Sequence, residues 1–125
     1  MSLTDSAIES YVIGACLHNK ETAQFLLDRL GDINFGTNIN RMIWRIIKLL
    51  YENQSDVQVD KLTLRSKIQA IGMSGSIPNE YIDEIQVVDI EADRLSGYIQ
   101  RLLDRTVPRE TVTLLEAIKV IIAIT

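Results

Sequence analysis

Side chains that could do chemistry are few in this sequence of 125 residues. It contains one histidine, His18, and one cysteine, Cys16. Together they cannot supply the four nitrogen and sulfur ligands of a structural zinc site. A lone histidine near the end of a predicted helix is more often a cap or a surface residue than a catalytic base. The sequence therefore predicts no catalytic residue and no metal site.

The glycine patterns of nucleotide and acyl-transfer sites are also absent. The chain has no G-x-x-x-x-G-K-[ST] phosphate loop, no G-x-G-x-x-G turn and no G-x-S-x-G elbow. A phosphate loop needs glycines where backbone amides approach the phosphates. We therefore expect no cofactor and no ATPase activity in this chain.

Carboxylates are concentrated between residues 80 and 93 and could in principle do acid–base work. They are Glu80, Asp83, Glu84, Asp89, Glu91 and Asp93. Paired carboxylates act in this way when their surroundings separate their pKa values. A run of this kind is more often a solvated face. If that face has a function, it is an acidic patch that attracts a basic partner and repels DNA.

The overall charge points away from nucleic acid. The net charge is -4, whereas proteins that bind DNA usually carry a basic excess to neutralise phosphates. No apolar stretch reaches the roughly 20 residues needed to span a bilayer, and residues 1–11 do not resemble a signal peptide. With a single cysteine, these features predict a cytoplasmic protein that makes little or no direct contact with nucleic acid or membrane.

Apolar residues recur at helical spacing in six segments before residue 105, which predicts an all-α fold. The first helix is expected to start with a capping box formed by Ser6 and Glu9. It should end near His18. Gly14 lies in its middle, where glycine is unfavourable, so we expect another element to approach closely there.

The ends of the following helices have their own signals. Asn19 and Asp60 are expected to cap the second and fourth helices, and Gly31 and Gly72 to end them. The third helix has the clearest apolar stripe: Ile39, Met42, Ile43, Ile46, Ile47 and Leu50. Other expected inward residues are Ile33, Phe35, Leu64, Ile68, Ile71, Tyr81, Ile82, Ile85, Leu95, Tyr98, Ile99, Leu102 and Leu103. The predicted core centres on Val12, Phe35, Ile43, Trp44 and Ile47.

The carboxyl-terminal segment is unusually apolar. Pro108 breaks the preceding helix, and between residues 112 and 125 only Glu116 and Lys119 are charged. The segment fits a helix, although its β-branched residues also permit a strand. Such a surface usually marks an interface. We predict self-association through Val112, Leu115, Ile118, Ile121 and Ile122.

These elements predict a small orthogonal bundle of about six helices with a carboxy-terminal helical hairpin or extension. The expected organisation is a helical domain over residues 1–105. An apolar terminal helix over residues 106–125 follows, as part of a hairpin or as the start of a linker.

In its order of motifs the sequence resembles the amino-terminal domain of DnaB-type replicative DNA helicases. The segment Glu9-Ser-Tyr-Val-Ile-Gly14-Ala-Cys-Leu17 is similar to the family's E-x-x-V-L-G-x-x-L opening. Phe35 followed by Asn40-Arg41-Met-Ile-Trp44 resembles its D-F and H-R-x-I-F segment, and Val59-Asp60-Lys-Leu-Thr63-Leu64 resembles V-D-x-x-T-L. Tyr81-Ile82-Asp-Glu-Ile85 and Tyr98-Ile99-Gln-Arg-Leu102 follow in the family's order.

The sequence departs from this pattern at three positions. Asn40 stands where the family often has His, and Trp44 where it often has Phe. Pro108 breaks the last helix earlier than expected for the family, in which the helix commonly continues and folds back as a helical hairpin.

Arg41 lies at the polar edge of the third helix, where we expect an ion pair with a carboxylate.

The resemblance implies a non-catalytic domain that forms the collar of a hexameric helicase ring, pairs with its neighbours and receives primase or a helicase loader. ATP and Mg²⁺ would act in a separate motor domain of the full-length parent. Two alternatives stay open. One is a stand-alone helicase adaptor, such as a loader, an inhibitor or the helicase-binding domain of a primase. The other is a small helical enzyme that uses His18 with a nearby carboxylate.

Overall fold

A computed structural model describes residues 4–104 of the chain. These residues form six α-helices and one 3-10 turn, and no strand lies among them. The elements are α1 (Asp5–His18), α2 (Lys20–Arg29), the turn Asp32–Asn34, α3 (Asn38–Asn53), α4 (Lys61–Ala70), α5 (Asn79–Glu84) and α6 (92–104). The prediction of an all-α fold with about six helices is confirmed. The terminal helix expected over residues 106–125, including Pro108, lies outside the described residues.

The start of α1 differs from its prediction. The cap is Thr4, whose Oγ1 accepts a hydrogen bond from the amide of Ala7 at 3.1 Å. The helix therefore begins at Asp5, two residues earlier than a capping box at Ser6 requires. The predicted box is wrong, and Glu9 is buried within the bundle.

The caps of α2 and α4 are as predicted. Asn19 Oδ1 accepts from the amide of Thr22 at 3.0 Å, and Asp60 Oδ1 accepts from the amide of Thr63 at 2.8 Å. These hydrogen bonds from Thr63 hold the pKa of the Asp60 carboxyl below its usual range. An ionised cap is also favoured by the positive end of the helix dipole.

The two glycines expected to end helices behave differently. Gly72 has φ 74°, and the amide of Met73 donates to the carbonyl of Ile68 at 2.9 Å, which is the closing bond of a Schellman motif. Gly31 does not act in this way, because α2 has already ended at Arg29 and Gly31 has an extended backbone with φ -100°.

The core surrounds α3, whose apolar stripe is largely buried. Of the residues expected at its centre, each has at most 1% of its surface exposed: Val12, Phe35, Ile43, Trp44 and Ile47. Two expected inward residues are exposed instead, Ile33 at 50% and Ile71 at 40%. The 3-10 turn directs Asn34 rather than Ile33 inward, and Ile71 follows the last turn of α4, where the helical period no longer applies.

Side chains of α3 fasten the loop that precedes it. Trp44 Nε1 donates to the carbonyl of Leu30 at 3.0 Å, and its ring packs on that of Phe35 with centroids 4.6 Å apart. Arg41 donates from Nε and an η-nitrogen to the carbonyl of Phe35 at 3.2 and 3.0 Å. The recorded contact of Arg41 is thus with a backbone carbonyl rather than with the expected carboxylate. Side chains of α3 therefore hold the loop at Leu30 and at Phe35.

Candidate functional site

The residues predicted to mediate self-association fall beyond residue 104 and therefore lie outside the described residues. The structure consequently neither places them nor brings them together. The predicted acidic face is described, and every one of its carboxylate residues is exposed. The acidic face belongs to the helical body formed by residues 4–104.

A buried polar cluster, which we call the Glu9 network, joins three helices in this body. Glu9 on α1 has no exposed surface. Its Oε2 accepts from the amide of Gly36 at 2.9 Å, and its Oε1 accepts from the amide of Thr37 at 3.3 Å and from Asn40 Nδ2 at 3.0 Å. The hydroxyl of Tyr81 on α5 donates to Asn40 Oδ1. One carboxylate therefore links α1, the start of α3 and, through Asn40, α5.

The Glu9 network solves a local problem at the beginning of α3. Thr37 occupies the N-cap position but makes no capping hydrogen bond with its side chain. The amides there would be left without acceptors, and leaving buried donors unpaired is costly. Glu9 supplies the acceptors from another helix and places negative charge near the positive end of the α3 dipole. This arrangement is a structural lock, and it offers no open position to a substrate.

Gly14 shows why α1 needs a glycine in its middle. A Cβ built there would lie 1.9 Å from the carbonyl oxygen of Gln86, in the segment after α5. Real contacts of a Cβ are essentially never this short, and the opposing atom belongs to the backbone. The expected close approach at Gly14 is therefore present, and the approaching element is the segment after α5, which has no regular secondary structure.

Cys16 and His18, the two reactive side chains singled out from the sequence, lie in different surroundings. Cys16 is buried, and burial raises the pKa of its thiol far above the usual range, so it stays protonated. His18 is exposed at the end of α1. Among residues 4–104, no group of three or more His, Cys, Asp or Glu side chains is placed to hold a metal ion.

Two tyrosines, Tyr51, which is buried, and Tyr81, which is partly buried, predict how stability depends on pH. Burial raises the pKa of Tyr51, and burial together with the charge of Glu9 raises that of Tyr81, both from an ordinary value of 10.0. The unfolded phenols ionise first, so stability is fully present below about pH 10 and is lost as pH rises through the higher pKa of the folded state. Denaturant unfolding at increasing pH should show this fall.

The assignment can be checked by following phenolate absorbance during a titration. Tyr51→Phe and Tyr81→Phe should each remove a late-titrating step from the folded protein. If each variant instead lost a phenolate that forms early in the titration of wild type, the raised pKa values of Tyr51 and Tyr81 would be contradicted.

Sequence reasoning missed the role of Glu9, although a signal was present. Glu9 precedes Val12, Ile13 and Cys16 by three, four and seven residues, so it lies on the buried stripe of α1. A carboxylate on a core-facing stripe calls for buried partners. In the structure these partners include Asn40 and, through it, Tyr81. Both residues belong to the segments that carry the resemblance.

These features define a small all-α domain whose described polar groups lock helices together. A family comparison assigns it further, because the model of the DnaB-like helicase N terminal domain matches residues 2–104. The chain belongs to this family. Comparison with curated proteins gave no match, and comparison with solved structures gave none. Within the described part of the chain, no helix is long and apolar enough to cross a membrane.

Proposed function

We propose that this chain is the non-catalytic amino-terminal domain of a replicative DNA helicase, acting in the cytoplasm in ring assembly and in docking of primase or a loader. The observation that carries the proposal is the family match over residues 2–104. The Glu9 network supports it, because it connects three positions marked by the resemblance, Glu9, Asn40 and Tyr81. Helicase action with ATP and Mg²⁺ would belong to a separate motor domain.

Self-association is the part of this proposal that rests on the chain's own terminal segment. Residues 112–125 contain two charged side chains, Glu116 and Lys119, and many branched apolar ones. Apolar surface of this extent is stabilised by burial against another surface. We therefore propose that Val112, Leu115, Ile118, Ile121 and Ile122 contact another copy of the chain.

Replacing Ile121 with Asp is expected to lower the molar mass of the full chain in solution, because a charge would be buried in the apolar contact. Light scattering across a concentration series measures the mass. Leu62→Asp is a matched control, since Leu62 on α4 is 67% exposed and lies outside the proposed contact. A monomeric mass of 14.2 kDa for wild type and both variants would overturn self-association.

A further inference from the structure

A groove runs along α6 on the side that faces α1. It consists of two adjoining clefts that share Arg94 and Tyr98, and the larger has a volume of about 630 Å³. The larger cleft is also lined by Tyr11, Val88, Asp89, Ile90 and Glu91. We call this surface the α6 groove.

The floor of the α6 groove is aromatic and apolar. Tyr11 of α1 and Tyr98 of α6 stack with ring centroids 6.3 Å apart and an interplanar angle of 16°. Both rings are partly buried, as are Val88 and Ile90 beside them. Tyrosines are enriched at protein interfaces, where the ring packs on apolar surface and the hydroxyl stays in contact with solvent. They bury large areas with little loss of side-chain entropy.

The charge of the groove is uneven along its length. Asp89 and Glu91 are exposed at one end, and the chain from residue 80 to residue 93 has six carboxylates and no Lys or Arg. At the other end Arg101 donates from Nε to Asp5 Oδ1 at 3.1 Å, so its charge is already paired. Arg94 lines both clefts and is exposed, so it offsets one of these two charges. With two carboxylates against one guanidinium, the larger cleft keeps an excess of one negative charge.

We propose that the α6 groove binds a basic amphipathic helix from another protein. Its apolar face would lie on Tyr11, Tyr98 and Ile90, while its Lys or Arg side chains would reach Asp89 and Glu91. Complementary charge of this kind increases the association rate and selects the partner. This inference rests on the proposed docking function and specifies the chemistry of one partner.

The chain's own terminal segment fits the groove less well. Residues 112–125 carry one Glu and one Lys, so they have no net positive charge to match the carboxylates. If a second copy of the chain inserted its own residues 112–125 into the groove, the same lack of positive charge would apply. Charge complementarity therefore favours a foreign basic helix over either of these occupants.

The test uses the full chain and a fluorescein-labelled Leu/Lys amphipathic peptide of about 18 residues, long enough to form a helix. A Leu/Glu peptide of the same pattern is the charge control. Fluorescence anisotropy gives the dissociation constants. The Leu/Lys peptide should bind wild type, and amide chemical shifts should change most around Tyr11 and at residues 86–98. The Leu/Glu peptide should not bind.

Charge reversal at the groove separates site binding from general attraction. Asp89→Lys with Glu91→Lys should weaken peptide binding about tenfold. Glu21→Lys with Asp56→Lys changes the net charge equally at exposed residues that do not line the groove, and should weaken it less than about threefold. Circular dichroism checks that both double variants are folded.

Three results would overturn the groove proposal: no binding by wild type, equal weakening in both double variants, or shift changes confined to residues outside Tyr11 and 86–98. A lower molar mass of the Asp89→Lys, Glu91→Lys variant would also overturn it, by making the groove part of the self-association contact. In that case the proposed collar function would stand, since it is tested separately by Ile121→Asp.

Discussion

Alanine at position 14 is expected to destabilise the domain by about 3 kcal/mol, the upper end of the usual cost of overpacking a core. Its Cβ would lie 1.9 Å from the carbonyl oxygen of Gln86. The opposing atom is backbone, so relief requires the segment after α5 to move away from α1. Urea denaturation, followed by circular dichroism and by the fluorescence of Trp44, measures the free energy of unfolding.

Gly97→Ala is the matched control for Gly14→Ala. Gly97 also lies within a helix, but nothing is within 4 Å of the Cβ that a substitution would add. Alanine there should raise stability by up to about 1 kcal/mol, because it is the better helix former. Equal effects at the two positions would show that helix propensity, rather than the contact with Gln86, governs Gly14.

Removing the carboxylate of Glu9 is expected to cost about 3 to 5 kcal/mol in Glu9→Ala. Two backbone amides, those of Gly36 and Thr37, and the side chain of Asn40 would lose their acceptor. The start of α3 would also lose the negative charge beside its amides. Chemical denaturation measures the loss, and amide exchange at Gly36 and Thr37 shows whether it is local.

Three further variants separate this explanation from a capping box at Ser6. Glu9→Gln keeps one acceptor oxygen, so its free energy of unfolding should lie between those of wild type and Glu9→Ala. Ser6→Ala should change stability by less than about 0.5 kcal/mol, whereas Thr4→Ala should cost about 1 kcal/mol. A large loss for Ser6→Ala with a small one for Glu9→Ala would refute the Glu9 network.

Most features that depend on neighbours in the sequence were predicted correctly, and the exceptions are the capping box at Ser6 and the helix end at Gly31. Asn19 and Asp60 each accept a hydrogen bond from an amide three residues later, so the sequence alone shows both partners. The apolar period of α3 likewise lies within one continuous segment. Local propensity and periodicity are short-range properties, and they identified the helices.

Features that depend on distant segments were predicted only in part. The partners of Glu9 follow it by 27 to 31 residues, and no local rule connects them. At Gly14 the need for space was predictable, but its cause, the backbone of Gln86, depends on how the chain returns to α1. The α6 groove likewise arises where Tyr11 meets Tyr98. Its acidic residues were recognised, and its apolar floor was not.

The proposed function requires that this domain docks a replication partner in a helicase assembly. Calorimetric titration of the full chain with the helicase-binding domain of the primase from the same genome tests it most directly. Saturable binding at a fixed molar ratio is the expected result. No detectable binding at about 100 µM of each protein, a concentration that reveals even weak complexes, would contradict it. Binding to an intact DnaB-type helicase instead would identify a stand-alone adaptor.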